Sequence, residues 1–533
     1  MSTEGAAHIP NYSSDSGAMA PASEGEVSLL RLLGLTSFMF ATGLLLSTYG
    51  MITLALESAR LAPTNSSFAL AGFLAMAGVS QLVCPLAGYL SDRHESRCGR
   101  RVPFIAGGTT VLVLGLAVQW VSRSGELPGV GFDDDDDDAA SSSSAAAADD
   151  DDGASRFLAT VAYGSAFLAS MIALNVAYTA ATSLVPDLVP PEQTGIANGL
   201  GVFLQVLGSC FGFLYYFLVD DLDALYALYV VVVVCFAGVT LIVALPKRRR
   251  RGRGSKASER KPFNDAPPSP GGHGALGDDS DPFLAAGHGG SASAKGGPEE
   301  PFSWAAIASC YYVNPRDPET RDFFYVFVSR TLYYTGGSVQ AFLVYYLRDR
   351  LDDNATGTLD TWLLPYVNTS DPARSTCVLA LAGYVSGVVA AVPAGALSDR
   401  AGRKPVVVFA CVLMSLSMVG LGFSTSPSAI VFWGLLGGLG NGSYQAVDLA
   451  LAVDTLPNPE ESARFMGVWG VGAFVGVCLG PLIGAPLLYV FGQVGDPEPP
   501  ANGQLGYLAL FLYGSLSIFA SAAVLLRYVK GAK

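Results

Sequence analysis

Asn441, Tyr444, Gln445 and Asp448 recur at i, i+3, i+4 and i+7 within the apolar stretch Ala429 to Val453. That spacing puts all four on one face of a helix. An ionisable group deep in such a stretch costs several kcal/mol unless it meets water or a partner, so Asp448 is a candidate for binding and releasing a proton. A second stripe, Arg330, Tyr333, Gly337 and Gln340, follows the same rule in another apolar stretch, and a third is formed by Asn175, Tyr178, Thr179 and Thr182. Gln205 adds a polar group to the run GVFLQVLGSCFG. Asp448 lies about 9 Å from the helix end marked by Asp454, and Arg330 about 10 Å from the end marked by Phe323, at 1.5 Å per residue. At that depth the two charges can pair directly or through water. Alternatively, Arg330 snorkels to the interface and Asp448 bonds Tyr444 or Gln445. The Asn, Tyr and Thr of the third stripe can line a pathway or glue helices together.

The other carboxylates available for proton chemistry are Asp187, Asp454 and Glu57. His8, His94, His273 and His288 all fall in tails or loops, which excludes a histidine relay through the apolar stretches. The eight cysteines form no C-x-x-C pair, so neither a zinc site nor a disulfide framework is expected. With no nucleophile elbow, phosphate loop or metal-ligand spacing, the sequence predicts no enzyme, no cofactor, no metal and no nucleic-acid partner.

These residues must be positioned by membrane helices. Apolar residues make up 51% of the chain and charged ones only 14%, against roughly a quarter charged in soluble domains. Twelve apolar stretches are long enough to span a bilayer: 33–56, 68–90, 103–121, 157–184, 196–219 and 224–245, then 323–347, 377–397, 406–423, 429–453, 465–490 and 507–526. The fold class is therefore all-α, a polytopic membrane protein with twelve transmembrane helices in two pseudo-symmetric six-helix bundles. Residues 1–26 read as a disordered tail, 27–246 as the first bundle with an acidic low-complexity loop at 124–155, 247–319 as a disordered linker opening on KRRRRGRGSK, and 320–533 as the second bundle with a short tail. The net charge of −14 sits mostly in loops and says little about partners. Basic residues gather in the loops after the second, sixth and eighth helices, which places the linker and both termini in the cytoplasm. Asn65, Asn354 and Asn368 then carry glycosylation sequons on the outer side.

The two halves repeat a motif. GYLSDRHESRCGRR supplies Gly88, Asp92, Arg93, Gly99 and Arg100 after the second helix; GALSDRAGRK supplies Gly395, Asp399, Arg400, Gly402 and Arg403 after the eighth. Asp187 and Asp454 close matching segments, YTAATSLVPDLVPPEQTG and YQAVDLALAVDTLPNPEES. In this the chain resembles the major facilitator superfamily over nearly all its membrane portion, and the spaced form SDR-HESRC-GRRVPFI is similar to the glycoside–cation symporters, which include the sucrose carriers. The resemblance implies a central cavity lined by helices one, four, seven and ten, gating by the two loop motifs, and proton-coupled symport of a sugar or similar small solute by a monomer in the plasma membrane or an endomembrane. Thr182 stands where the sucrose carriers place an arginine, and the fifth helix lacks the Gly-Pro of drug exporters. An exporter or facilitator of another solute, and a non-transporting sensor or scaffold, remain the alternatives.

Overall fold

The computed structural model describes residues 27–94, 96, 98–123, 145–245, 313–354, 357–457, 462–492 and 502–530. The tail 1–26, the linker up to residue 312 and the first part of the acidic loop lie outside them. All regular structure among the described residues is helical. We label the long helices α1 (Leu29–Leu61), α2 (Pro63–Ser91), α3 (Val102–Arg123), α4 (Ala159–Leu188), α5 (Pro191–Val219), α6 (Leu222–Ala244), α7 (318–350), α8 (Pro372–Ala401), α9 (Arg403–Phe423), α10 (Pro427–Asp454), α11 (Ser462–Gly492) and α12 (Gln504–Tyr528). The end bearing the start of α1 is called the near end, and the opposite one the far end.

Two expected boundaries shift. Helical backbone leading into α4 begins at Ala145, inside the tract 124–155 read as a loop. Alanines 145–148 are strong helix formers, and the acidic run that follows them suits a helix N-terminus. α7 begins at Pro318 rather than Phe323, because Asp317 caps it by accepting from the Glu319 amide and Pro318 suits the first helical position.

Ten of these helices are long and apolar enough to cross a membrane; α7 and α10 are not among them. Length is not what they lack, since α10 has 28 residues, about 42 Å at 1.5 Å per residue. Their polar residues lower the mean hydropathy, and both are packed among neighbours: α7 against α11 and α12, α10 against α8 and α9. Gly442 and Gly438 of α10 meet the backbone of α8 at Gly387 and Gly383 so closely that a side chain could not be inserted, whereas Gly434 has room.

The first helix of each half is interrupted. α1 makes a π turn at Tyr49–Thr53, and α7 passes through a 3-10 segment at Ser338–Phe342. Gln340 therefore sits on the 3-10 segment, off the α-helical register that the stripe from Arg330 assumed. Inside the first bundle the π turn packs Tyr49 among Tyr163, Tyr226 and Tyr229, whose hydroxyls are buried and bonded: Tyr163 to Tyr226 at 2.8 Å, and Tyr229 to Thr48 at 2.8 Å and Thr53 at 2.9 Å.

The bundles touch along α2 with α11 and α5 with α8. The bonds that cross this seam lie from mid-height to the far end. Ser47 bonds the Tyr384 hydroxyl at 2.9 Å, the Cys478 thiol approaches the Ala75 carbonyl at 3.5 Å, Tyr345 donates to the Ala55 carbonyl at 2.8 Å, and Arg374 donates to the Phe217 carbonyl at 3.0 Å. In the near half of the same helices, Gly199, Gly395 and Gly470 each have open space where a side chain would begin. Among the described residues, the seam is thus hydrogen-bonded from mid-height to the far end.

Candidate binding site

α7 and α10 bring one constellation together. The Arg330 guanidinium forms a salt bridge with the Asp448 carboxylate, and both residues are almost wholly buried, 7% and 3% exposed. The arginine does not snorkel. Its guanidinium lies over the Trp469 ring of α11, 3.5 Å from the centroid, and 4.8 Å from the ring of Tyr334. Such stacking compensates a partly dehydrated cation. Arg330 Nε and Trp469 Nε1 are buried donors without an acceptor among the described residues.

Beside this pair, the Tyr333 and Tyr444 rings stack face to face with centroids 3.5 Å apart. The Tyr333 hydroxyl donates to Asn441 Oδ1 and the Tyr334 hydroxyl to Gln445 Oε1, each at 3.1 Å. Asn441 and Gln445, one turn apart, are exposed. Exposed amides in mid-helix are expensive against lipid but stable against a water-filled space. The surface is thus layered, with amides and Tyr334 in front and the tyrosine pair and the ion pair behind. Tyr334 and Trp469 were not singled out as site residues from sequence. Tyr334 lies four residues after Arg330 and three before Gly337, so the helical spacing already carried its signal, whereas a tryptophan on a long apolar helix carries no signal of its partner.

The first bundle contributes less. Asn175 Nδ2 donates to Ser80 of α2 at 2.9 Å, and the Thr182 hydroxyl returns to the Tyr178 and Thr179 carbonyls of its own helix. The first joins helices and the second satisfies its own backbone. Tyr178 and Gln205 are half-buried, and the Gln205 carbonyl accepts from Ser209. Glu57 is fully buried, bonded to Arg60 at 2.8 Å and Arg123 at 3.1 Å, while Arg123 also holds Asp223 at 3.0 Å. That network braces the far end of the first bundle and keeps Glu57 away from the surface formed by α7 and α10.

At the near end the two loop motifs match. Gly99 and Gly402 both adopt positive φ, +100° and +93°, a conformation glycine adopts without strain. Beyond each glycine an arginine meets the carboxylate at the end of a neighbouring helix. Arg100 and Arg101 both pair with Asp187, and Arg403 pairs with Asp454 at 2.9 Å. These two carboxylates are the partners among the described side chains; Asp399 is exposed, as are Arg400 and Arg93, the latter over the Tyr89 ring. The side chain of Asp92 lies outside what the structure describes. Gly88 approaches Thr179 of α4, and Gly395 faces open space.

Two six-helix bundles, the second carrying a polar surface on α7 and α10, make the architecture of a polytopic membrane protein. Residues 326–532 match the Major Facilitator Superfamily, so the second bundle carries that family's sequence pattern. The solved nucleoside transporter NupG is similar over 93% of this chain and 99% of its own, with a TM-score of 0.57 and 12% identity. A bacterial homologue of the iron transporter ferroportin in an outward-facing state aligns over 93% and 98%, with a TM-score of 0.51. At such identity only the fold is shared. Among curated proteins, the efflux pump azaK of Aspergillus niger is 26% identical over 135 residues, covering 24% of this chain and 28% of its own. The multi-drug resistance efflux pump PmrA of Streptococcus pneumoniae is 33% identical over 98 residues, covering 18% and 24%. The chain thus spans about a quarter of the length of these relatives.

Proposed function

We propose that the protein is a secondary active transporter that moves a small polar solute by proton-coupled alternating access. The observation that carries this reading is the buried Arg330–Asp448 pair behind the exposed amides of Asn441 and Gln445. A scaffold has no need of a dehydrated ion pair at a water-facing surface, where breaking one partner away costs about 3–5 kcal/mol. In a carrier the pair is a switch. Protonation of Asp448 releases Arg330, whose donors, with Trp469 Nε1, then seek acceptor oxygens on the solute. Tyr333, Tyr334 and Tyr444 offer aromatic faces and hydroxyls, a combination suited to a hydroxyl-rich solute such as a sugar, in keeping with the resemblance to the glycoside–cation symporters. From the first bundle, Tyr178 and Gln205 face the same solute, while Asn175 is held by Ser80 and Thr182 by its own helix. Gln340 completes the lining from the 3-10 segment of α7.

The near end, with its arginine-rich loops, is the cytoplasmic end in this reading. The seam closed at the far end then makes this the inward-facing state, and the Arg100–Asp187 and Arg403–Asp454 pairs hold the loop motifs in their inward-facing positions. Glycans on Asn65 and Asn354 would lie outside. Uptake by a monomer reconstituted in liposomes, with and without an imposed pH gradient, tests the proposal. Accumulation of a sugar or polyol only under an inward proton gradient supports it, and gradient-independent equilibration contradicts the coupling. A second reading, export, is favoured by the names of the curated relatives, both efflux pumps. It predicts accumulation when the protons run opposite to the solute.

A further inference from the structure

The strained residue Asp220 closes α5 at the far end. Its φ of 52° and ψ of 41° are left-handed, and it is the one non-glycine residue with positive φ among the described residues. Aspartate tolerates that conformation better than most residues, and the geometry aims its carboxyl across the seam at α8. There Asp371 caps the helix by accepting from the Arg374 amide at 3.0 Å, and its carboxyl shares the Arg374 side chain with that of Asp220. Arg374 stands between them, its guanidinium 3.8 Å from Asp220 and 3.4 Å from Asp371. The same side chain donates to the Phe217 carbonyl and lies 5.2 Å from the Phe217 ring. One bundle thus supplies a carboxyl and a carbonyl, the other a carboxyl and a cation.

We propose that Asp220, Asp371 and Arg374 form a pH-sensitive latch that holds the far ends of the two bundles together when the carboxyl pair carries a proton. The proposal rests on the alternating-access reading only in requiring that the far ends can part. With both carboxyls ionised, a single guanidinium faces two negative charges. One shared proton leaves the cluster neutral and lets one carboxyl donate to the other. Burial and the facing Asp371 carboxyl, with Asp221 adding to them, push Asp220 above the ordinary carboxylate range, while Arg374 pulls the other way. The remaining titratable neighbours are Tyr216 on α5 and Cys377 on α8. Once the bundles part, Asp220, already 41% exposed in the closed seam, loses the neighbouring Asp371 carboxyl and returns toward its ordinary value of about 3.9. A pKa raised in the closed state means that closure is favoured fully below the ordinary value, and that this contribution is lost as pH rises through the raised one. Acid on the far side therefore closes the latch.

Spin labels at Thr64 and Leu359, both exposed at the far end and on opposite bundles, report the opening by pulsed electron resonance, with exposed Cys98 and Cys235 replaced by serine. For the otherwise native protein, the closed-distance population is expected to rise several fold between about pH 8 and about pH 4, a window that runs from well above the carboxylate range down to the ordinary aspartate value. The variant Asp220→Asn, which leaves the Asp371 carboxylate to pair with Arg374, mimics the pair with one proton, and asparagine also accepts the left-handed conformation. It should stay closed at both pH values. A pH response that survives in this variant, or far ends that open on acidification, would overturn the latch. Far ends that never part at any pH in native protein would overturn alternating access instead.

Discussion

Arg330 carries more hydrogen-bond donors than Asp448 can accept, and that surplus gives the pair its chemical direction. In the closed pair the guanidinium is held by the carboxylate and two aromatic rings. Removing the carboxylate's charge leaves the arginine in place but open to a new acceptor. A buried charge without its partner is costly, so Arg330→Gln alone should destabilise the purified protein by about 3 kcal/mol. The double variant Arg330→Gln with Asp448→Asn should recover much of that loss in a thermal unfolding series. Equal loss in the single and double variants would show that the two groups do not depend on each other. Asp187 and Asp454 differ in kind from Asp448. They sit at helix ends against loop arginines, so Asp187→Asn is expected to slow turnover while leaving membrane insertion unchanged. Surface labelling and initial uptake rates, measured together, separate those effects.

Among the elements, α10 shows what a sequence can and cannot disclose. Its polar face was legible from spacing, because Asn441, Tyr444, Gln445 and Asp448 recur at helical intervals. The same residues put α10 outside the helices that qualify as membrane spans on apolarity alone, and α7 shares that property. The site is therefore carried by the two helices least able to face lipid, a link that becomes visible only once their neighbours are known. The stacking of Trp469 on Arg330 was not legible, since it depends on how α11 packs rather than on any periodicity. Nor was the diversion of Glu57 into a network with Arg60 and Arg123, because ion pairs between helices leave no mark on spacing. Close packing was partly legible. Of the three glycines at four-residue spacing on α10, Gly442 and Gly438 touch the α8 backbone and Gly434 does not. Gly442→Ala should accordingly lower stability by roughly 1–3 kcal/mol through overpacking, and Gly434→Ala should be near neutral. Melting curves of both variants decide the matter.

At the scale of the molecule, the repeat of two halves accounts for the matching loop turns, the interrupted first helix of each bundle and the two near-end ion pairs. Orientation follows from loop charge rather than from the fold. If the far end is outside, Asn354 and Asn65 are open to glycosylation. Asn368 is not so free: its Nδ2, the atom a glycan would use, donates to the Leu364 carbonyl, and its Oδ1 accepts from the Asp371 amide. Treatment with an N-glycosidase should therefore shift the mobility of the native protein less in Asn65→Gln or Asn354→Gln and by the same amount in Asn368→Gln. No shift in any of them would remove the support for an outer far end. The central claim is that a proton on Asp448 couples solute binding to the change between inward and outward states. Its most direct test compares native protein and Asp448→Asn in proteoliposomes under an imposed pH gradient, following net accumulation and solute exchange in parallel. The account predicts that Asp448→Asn loses accumulation and keeps exchange. Accumulation against a gradient by Asp448→Asn, with the native pH dependence, would contradict it.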